Sequence, residues 1–302
     1  MADKKKSPKG DSRSSNSPVR TVPSILKRKG QKSQKLVALT AYDFTFAQLL
    51  DSTGEVDVIL VGDSLGSVVQ GHKNTIPVTL EEVCYHTRCV VRGVAHALVV
   101  ADMPFMSFQV SPEQALQNAG TLLKNGGAQA VKLEGGRSMH ETIARLVAVD
   151  IPVMGHVGLT PQSYNRMGGH KIQGRSTTRR AQTSADEVFE DALAVEDAGA
   201  FAVVLEGIPA ELAARITSAL SIPTIGIGAG NDCDGQILVT HDLLGLQPDF
   251  SPKFVKRYRE MGEEVMTAVR EYASEVRSGE FPSRDHAVYE GPDVSIRLAR
   301  KS

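Results

Sequence analysis

The amino-acid sequence predicts a (β/α)8 barrel, and three observations carry that prediction. Eight short β-rich runs alternate with longer amphipathic stretches from residue 35 onward. The runs are apolar at consecutive positions instead of at every second one, as strands are when a parallel sheet buries both faces. The chain has 302 residues, a common length for a single barrel of this class.

In chain order the runs are KLVALTAYD (35–43), DVILVGDS (57–64), ALVVADMPF (97–105), QAVKLEGG (129–136), IPVMGHVG (151–158), FAVVLEG (201–207), IPTIGIGAG (222–230) and QILVTHD (236–242). Helical patterns fall between them at 44–53, 79–92, 111–125, 138–149, 184–199 and 209–220, with a long polar-rich one at 253–279. Two of these helices announce their starts. Ser111 precedes a proline in the first helical position, and Ser184 with Glu187 forms a capping box. The seventh connection, AGNDCDG (229–235), is too short for a full helix. Eight such units still fit a closed barrel better than an open doubly wound sheet.

Composition narrows the function classes. Hydrophobic residues make up 41% and charged residues 23%, as in an ordinary globular protein with a large core. No apolar run approaches the roughly 18 residues that would span a bilayer, so no membrane role is expected. Of the 34 Lys and Arg, 11 lie in residues 1–35, leaving an acidic body behind a basic, Ser-rich tail. That tail (residues 1–21) lacks the apolar core of a secretory signal and is expected to be a disordered, solvated extension. It interleaves no aromatic residues among its charges, so nucleic acid is not an expected partner. Cys84, Cys89 and Cys233 form no CxxC pair and are odd in number. A zinc site and a disulfide framework are therefore not expected, and a reduced, cytoplasmic protein is.

Active sites of this fold lie at the C-terminal ends of the strands. The residues found there are Asp43, Asp63 with Ser64, Asp102, Lys132 with Glu134, His156, Glu206, the glycines at 226–230, and His241 with Asp242. Asp63, Asp102 and Glu134 close three neighbouring strands. Three converging carboxylates are tolerable if they share a divalent cation, and an all-oxygen set without clustered His or Cys suits Mg2+. Lys132 and Glu134 are two apart on one strand and share a face. Lys132 could present a positive charge to a substrate carboxylate or pair with Glu134. Glu206, among Val203, Val204 and Leu205, should have a raised pKa, as a general base or a structural acceptor would. His156 is open to a core or a functional role. The connection 158–183 is long and rich in Gly and basic residues, which predicts a lid with STTRRAQT (176–183) as its mobile part. GIGAG (226–230) lacks dinucleotide spacing, and its glycines are expected to permit close packing at the rim.

Together LTAYD (39–43), LVGDSLG (60–66), ADMPF (101–105), VKLEGG (131–136), GHVGLTPQS (155–163), GGHKIQGR (168–175), VLEGIP (204–209), IPTIGIGAG with CDGQILV (222–239) and FPSRDH (281–286) resemble the ketopantoate hydroxymethyltransferase family. The likeness runs from about residue 22 to 286. It implies a barrel of the phosphoenolpyruvate mutase and isocitrate lyase superfamily, a catalytic domain over 22–288, and an extension at 289–302. It also implies transfer of a one-carbon unit from 5,10-methylenetetrahydrofolate to 3-methyl-2-oxobutanoate, giving 2-dehydropantoate on the route to pantothenate and coenzyme A. By motif, Asp63, Asp102 and Glu134 match Mg2+ ligands. Asp63, Ser64, Asp102 and Lys132 match substrate-binding positions, and Glu206 matches the proton acceptor. Family members are typically decamers, so a homo-oligomer is expected.

Two competing readings are weaker. Lyases and mutases of the superfamily carry a cysteine in a lid-like loop, and residues 158–183 contain none. A catalytically silent barrel should have lost one of the charged strand-end residues, and all are present.

Overall fold

The computed structural model describes residues 18–175, 183–248, 252 and 254–288. The basic tail to residue 17, STTRRAQT apart from Thr183, and the C-terminal stretch 289–302 lie outside the described residues.

Eight parallel strands close into a barrel in sequential order, with the eighth pairing to the first. They are β1 (Leu36–Thr40), β2 (Val58–Val61), β3 (Leu98–Asp102), β4 (Ala130–Glu134), β5 (Val153–Gly158), β6 (Ala202–Glu206), β7 (Thr224–Ile227) and β8 (Gly235–Leu238). Each lies within or one residue before a run read from the sequence. The helices are α1 (Val22–Leu26), α2 (Phe44–Asp51), α3 (Leu65–Val68), α4 (Leu80–Val91), α5 (Pro112–Thr121), α6 (His140–Val147), α7 (Tyr164–Met167), α8 (Ala185–Asp197), α9 (Ala210–Ala219), α10 (Thr240–Leu243) and α11 (Met261–Ser278). No helix among the described residues is long and apolar enough to cross a membrane.

Two apolar layers hold the barrel. Inward residues such as Leu36, Val58, Leu60, Val100, Met154, Val204 and Ile225 fill its interior. Outward residues such as Ile59, Val99, Val131 and Val203 pack beneath the helices with Val83, Ala119, Ile143 and Val195. Ile25 of α1, fully buried, belongs to the interior layer and plugs the floor. Lys29 ties this plug to Asp234 just before β8 at 2.9 Å, and Arg20 reaches Asp57 just before β2 at 2.7 Å. The boundary drawn after residue 21 therefore falls inside the folded body: Arg20 anchors it, and the Thr21 side chain caps α1.

Capping chemistry sets helix starts as the sequence predicts. Ser111 caps α5 with Pro112 next, and Ser184 with Glu187 forms the capping box of α8. Asp43, a strand-end candidate, is also a cap: its Oδ1 accepts from Phe46 N at 2.9 Å. No helix joins β7 to β8, and Gly226 admits the Cys233 Sγ so closely that a Cβ there would lie 2.9 Å from it. The long C-terminal helix starts at Met261 and not at residue 253. The backbone N–H groups of Tyr258, Met261 and Gly262 donate to the carbonyls of Leu243, Leu244 and Gly245, so they are withdrawn from helix propagation. On α11 only Gly262 is buried, and Val265, Val269, Tyr272 and Val276 are exposed. Val37 on the outer face of β1 is likewise 42% exposed.

Candidate active site

The strand register assembles the candidates into one belt at the C-terminal mouth. Asp102 on β3 lies opposite Lys132 on β4, Glu134 lies opposite His156 on β5, and Gly158 lies opposite Glu206 on β6. Inward parity then turns Asp102, Lys132, Glu134, His156 and Glu206 toward the barrel axis. Asp63 follows β2 by two residues, and its backbone N–H donates to Asp102 Oδ2 at 3.1 Å.

Lys132 Nζ lies 2.9 Å from Asp102 Oδ1. Its buried partner is thus the neighbouring strand's aspartate and not Glu134, because the register sets Asp102 beside it. Nζ is also 3.2 Å from His156 Nδ1. An ammonium can only donate, so Nδ1 accepts and the ring proton sits on Nε2. Burial, reinforced by Lys132, holds the His156 pKa well below its ordinary value, and the ring is neutral. Nε2 lies 3.1 Å from Glu206 Oε2, with the carboxylate out of line, so no hydrogen bond forms between them. Nδ1 is 3.7 Å from Glu134 Oε1. His156 therefore belongs to the site, and one imidazole separates Glu206 from the acidic set.

The electrostatics are those of an acidic cluster short of positive charge. Burial and the Asp102 carboxylate push Asp63 up to about 7, against the lowering effect of Lys132. Burial, then Asp63, holds Glu134 well above the carboxylate range. Burial would lower Lys132, but Asp102, Glu134 and Asp63 together raise it. Burial pushes Glu206 up to about 7. Glu134 Oε1 is buried and makes no hydrogen bond, and Asp102 Oδ1 meets only the Lys132 ammonium. Among the described residues no three His, Cys, Asp or Glu side chains form a ready-made metal cage. A carboxylate oxygen without a hydrogen bond, hard donors only and room for water and substrate nevertheless fit Mg2+, which uses few protein ligands.

Three further residues complete the mouth, and none stood out in the sequence. Tyr42 OH is 2.8 Å from Ser64 Oγ. Gln162, buried in the 3-10 turn Pro161–Ser163, donates from its backbone N–H to Glu134 Oε2 at 3.1 Å. Its Nε2 donates to Asp63 Oδ2 at 3.0 Å and to the Met103 carbonyl at 2.9 Å. Gln109 Nε2 donates to Gln162 Oε1 at 3.1 Å. The signals for Gln162 were the length of the loop that carries it and its place in the GHVGLTPQS motif (155–163). The first part of that loop is folded into the site as Pro161–Ser163 and α7. Beside the mouth a cavity of about 440 Å3 is lined by Phe105, Gln109, Glu134, Arg137, Gln162 and Arg166, among others. It touches the acidic set only at Glu134. His241 packs near Tyr42, with ring centroids 5.5 Å apart.

Comparison with known proteins bears on the fold and the family. Among solved structures, 2,3-dimethylmalate lyase, a member of the PEP mutase/isocitrate lyase superfamily, superposes with a TM-score of 0.56 at 16% identity, covering 88% of each chain. Phosphonopyruvate hydrolase in complex with oxalate and Mg2+ gives 0.54 at 14% identity, covering 86% of this chain and 92% of that one. Those likenesses establish the superfamily's fold. Relatives named 3-methyl-2-oxobutanoate hydroxymethyltransferase are far nearer in sequence. The protein of Pelobacter propionicus is 57% identical over 267 residues, 88% of this chain and 96% of its own. That of Carboxydothermus hydrogenoformans is 50% identical over 279 residues, 92% and 99%. The sequence model described as Ketopantoate hydroxymethyltransferase matches residues 20–284, and the chain belongs to that family.

Proposed function

We propose that the protein transfers a hydroxymethyl group from 5,10-methylenetetrahydrofolate to 3-methyl-2-oxobutanoate, forming 2-dehydropantoate for pantothenate and coenzyme A synthesis. The observation that carries this reading is Glu206, a carboxylate raised to about 7 beside a neutral imidazole, one ring away from an acidic set suited to Mg2+. Asp63, Asp102 and Glu134 would hold the ion, which when bound supplies a Lewis acid that draws charge toward the keto oxygen.

The chain's own groups do the rest. Lys132 sets a fixed positive charge at the centre of the mouth, where it orients the substrate carboxylate. Ser64, hydrogen-bonded to Tyr42, and the carboxyls of Asp63 and Asp102 border the same substrate. Glu206 removes the proton from C3, and a pKa near the working pH suits a general base. The carbon nucleophile so formed bonds to the folate-derived methylene carbon while both C–N bonds of that carbon break. One water supplies the hydroxyl, the C3 proton and the second water proton end on the two nitrogens, and tetrahydrofolate leaves. The 440 Å3 cavity, rimmed by Phe105, Arg137 and Arg166, is of a size and polarity suited to part of a folate, its pterin ring or the carboxylates of its glutamate tail. A homo-oligomer, a decamer by analogy with the family, belongs to the same proposal, and the exposed apolar residues of α11 favour it.

The first half of the reaction can be tested without folate. In D2O the protein should exchange the C3 proton of 3-methyl-2-oxobutanoate, followed by NMR, only with Mg2+ present and only with Glu206 intact. Exchange indifferent to both would overturn the assignment.

A further inference from the structure

We infer that Gln162 is a positioning residue that fixes the acidic set in its cation-binding arrangement, with Gln109 fixing the orientation of its amide. The inference rests on the Mg2+ reading above and adds residues that the reading does not contain.

One residue from the loop after β5 touches the ends of three other strands. The Gln162 amide crosses the end of β3 and donates both its protons, one to Asp63 beyond β2 and one to the Met103 carbonyl just past β3. Its backbone N–H meanwhile holds Glu134 on β4. Only the NH2 end of an amide can face a carboxylate and a carbonyl together, so chemistry alone sets which way the group points. Oε1 then faces outward and accepts from Gln109 Nε2, a side chain that borders the cavity.

The consequence is a division of labour within each carboxylate. Asp63 has Oδ2 engaged by Gln162, Glu134 has Oε2 engaged by the Gln162 backbone, and Asp102 has Oδ2 engaged by the Asp63 backbone. Of the opposite oxygens, Glu134 Oε1 is buried without a hydrogen bond, and Asp102 Oδ1 faces the Lys132 ammonium at 2.9 Å. Each group is pinned by one oxygen, and Glu134 presents its other oxygen unengaged. A neutral donor is what this position requires, since a carboxylate would add a fourth negative charge and accept where the site needs donation. Groups that orient metal ligands from behind typically change metal affinity by about 10–100-fold when removed.

The test uses the full-length protein, stripped with chelator, and Mn2+ as the spectroscopic probe in an electron paramagnetic resonance titration. Gln162→Met keeps length and volume but donates nothing. It should weaken Mn2+ binding by about 10–100-fold, while thermal unfolding in chelator changes little. Gln109→Leu should weaken it in the same direction by about 10-fold or less, and should add nothing in the Gln162→Met background, because it acts only through that amide. Unchanged Mn2+ affinity in Gln162→Met overturns the inference. If that variant does not fold, Gln109→Leu decides alone, and wild-type affinity in it overturns the inference equally. A wild-type chain that binds no Mn2+ overturns the metal reading together with this one, whereas binding that ignores both glutamines overturns this one only.

Discussion

His156 presents the protonated edge of a neutral ring to Glu206, Nε2 to Oε2 at 3.1 Å, while Lys132 holds the opposite nitrogen at 3.2 Å. Burial keeps the Glu206 pKa raised to about 7 and outweighs the charge of Lys132, which lowers it across the ring. The carboxylate stays basic enough to take a proton, beside a neutral neighbour that cannot neutralise it.

Glu206→Gln removes that base while keeping its shape. Exchange of the C3 proton of 3-methyl-2-oxobutanoate, read by NMR in D2O, should fall by about 10^2–10^4-fold. The melting temperature at pH 8 should be unchanged or higher, since a buried charge has gone.

Asp63 and Glu206 are raised from 3.8 and 4.5 to about 7 in the folded chain. The folded state therefore binds these protons more tightly than the unfolded one. The stability they contribute is present below about pH 4 and is lost as the pH rises through about 7. In chelator, the melting temperature of Glu206→Gln relative to wild type should climb between pH 5 and pH 8. A flat difference across that range would contradict the raised pKa.

Lys132→Met breaks a buried ion pair and strands Asp102. Urea unfolding of the metal-free variant should show a loss of about 3–5 kcal/mol, and Mg2+ should recover part of it by supplying the missing charge. The KM for the keto acid should rise as well.

Ile25→Ala leaves a hole in the barrel floor. It should cost about 2–5 kcal/mol in chemical unfolding while leaving the KM for the keto acid unchanged, because the floor and the mouth are at opposite ends.

Val269→Glu combined with Tyr272→Glu puts charge on the exposed face of α11. Light scattering should then report a smaller assembly than that of the wild-type chain.

The sequence made the strands and the first-rank site residues legible for one physical reason. A strand buried on both faces has no use for a carboxylate at its end, so Asp63, Asp102, Glu134 and Glu206 stood out against their apolar neighbours. Periodicity and capping chemistry placed α4, α5, α8 and α9 in the same way. Gln162 did not stand out, because a neutral amide in a long polar loop resembles its surroundings until the loop folds back across three strand ends. The partner of Lys132 was equally hidden. Spacing along β4 offered Glu134, but the choice of Asp102 depends on the register between β3 and β4, which no local pattern encodes. The start of α11 failed for a similar reason, since carbonyls of residues 243–245 captured the N–H groups that helix periodicity assigned to the helix itself.

Closure of the barrel joins the first strand to the last: Thr240 Oγ1 donates to the Thr40 carbonyl at 2.6 Å across 200 residues, and Gly30 N–H donates to Asp234 Oδ1 across 204. During synthesis β1 emerges first and must wait for β8 with one edge unpaired. Folding is therefore gated by the slowest, most distant contacts in the chain. A nascent barrel held at seven strands exposes two open edges, a species prone to aggregation and a natural client for chaperones.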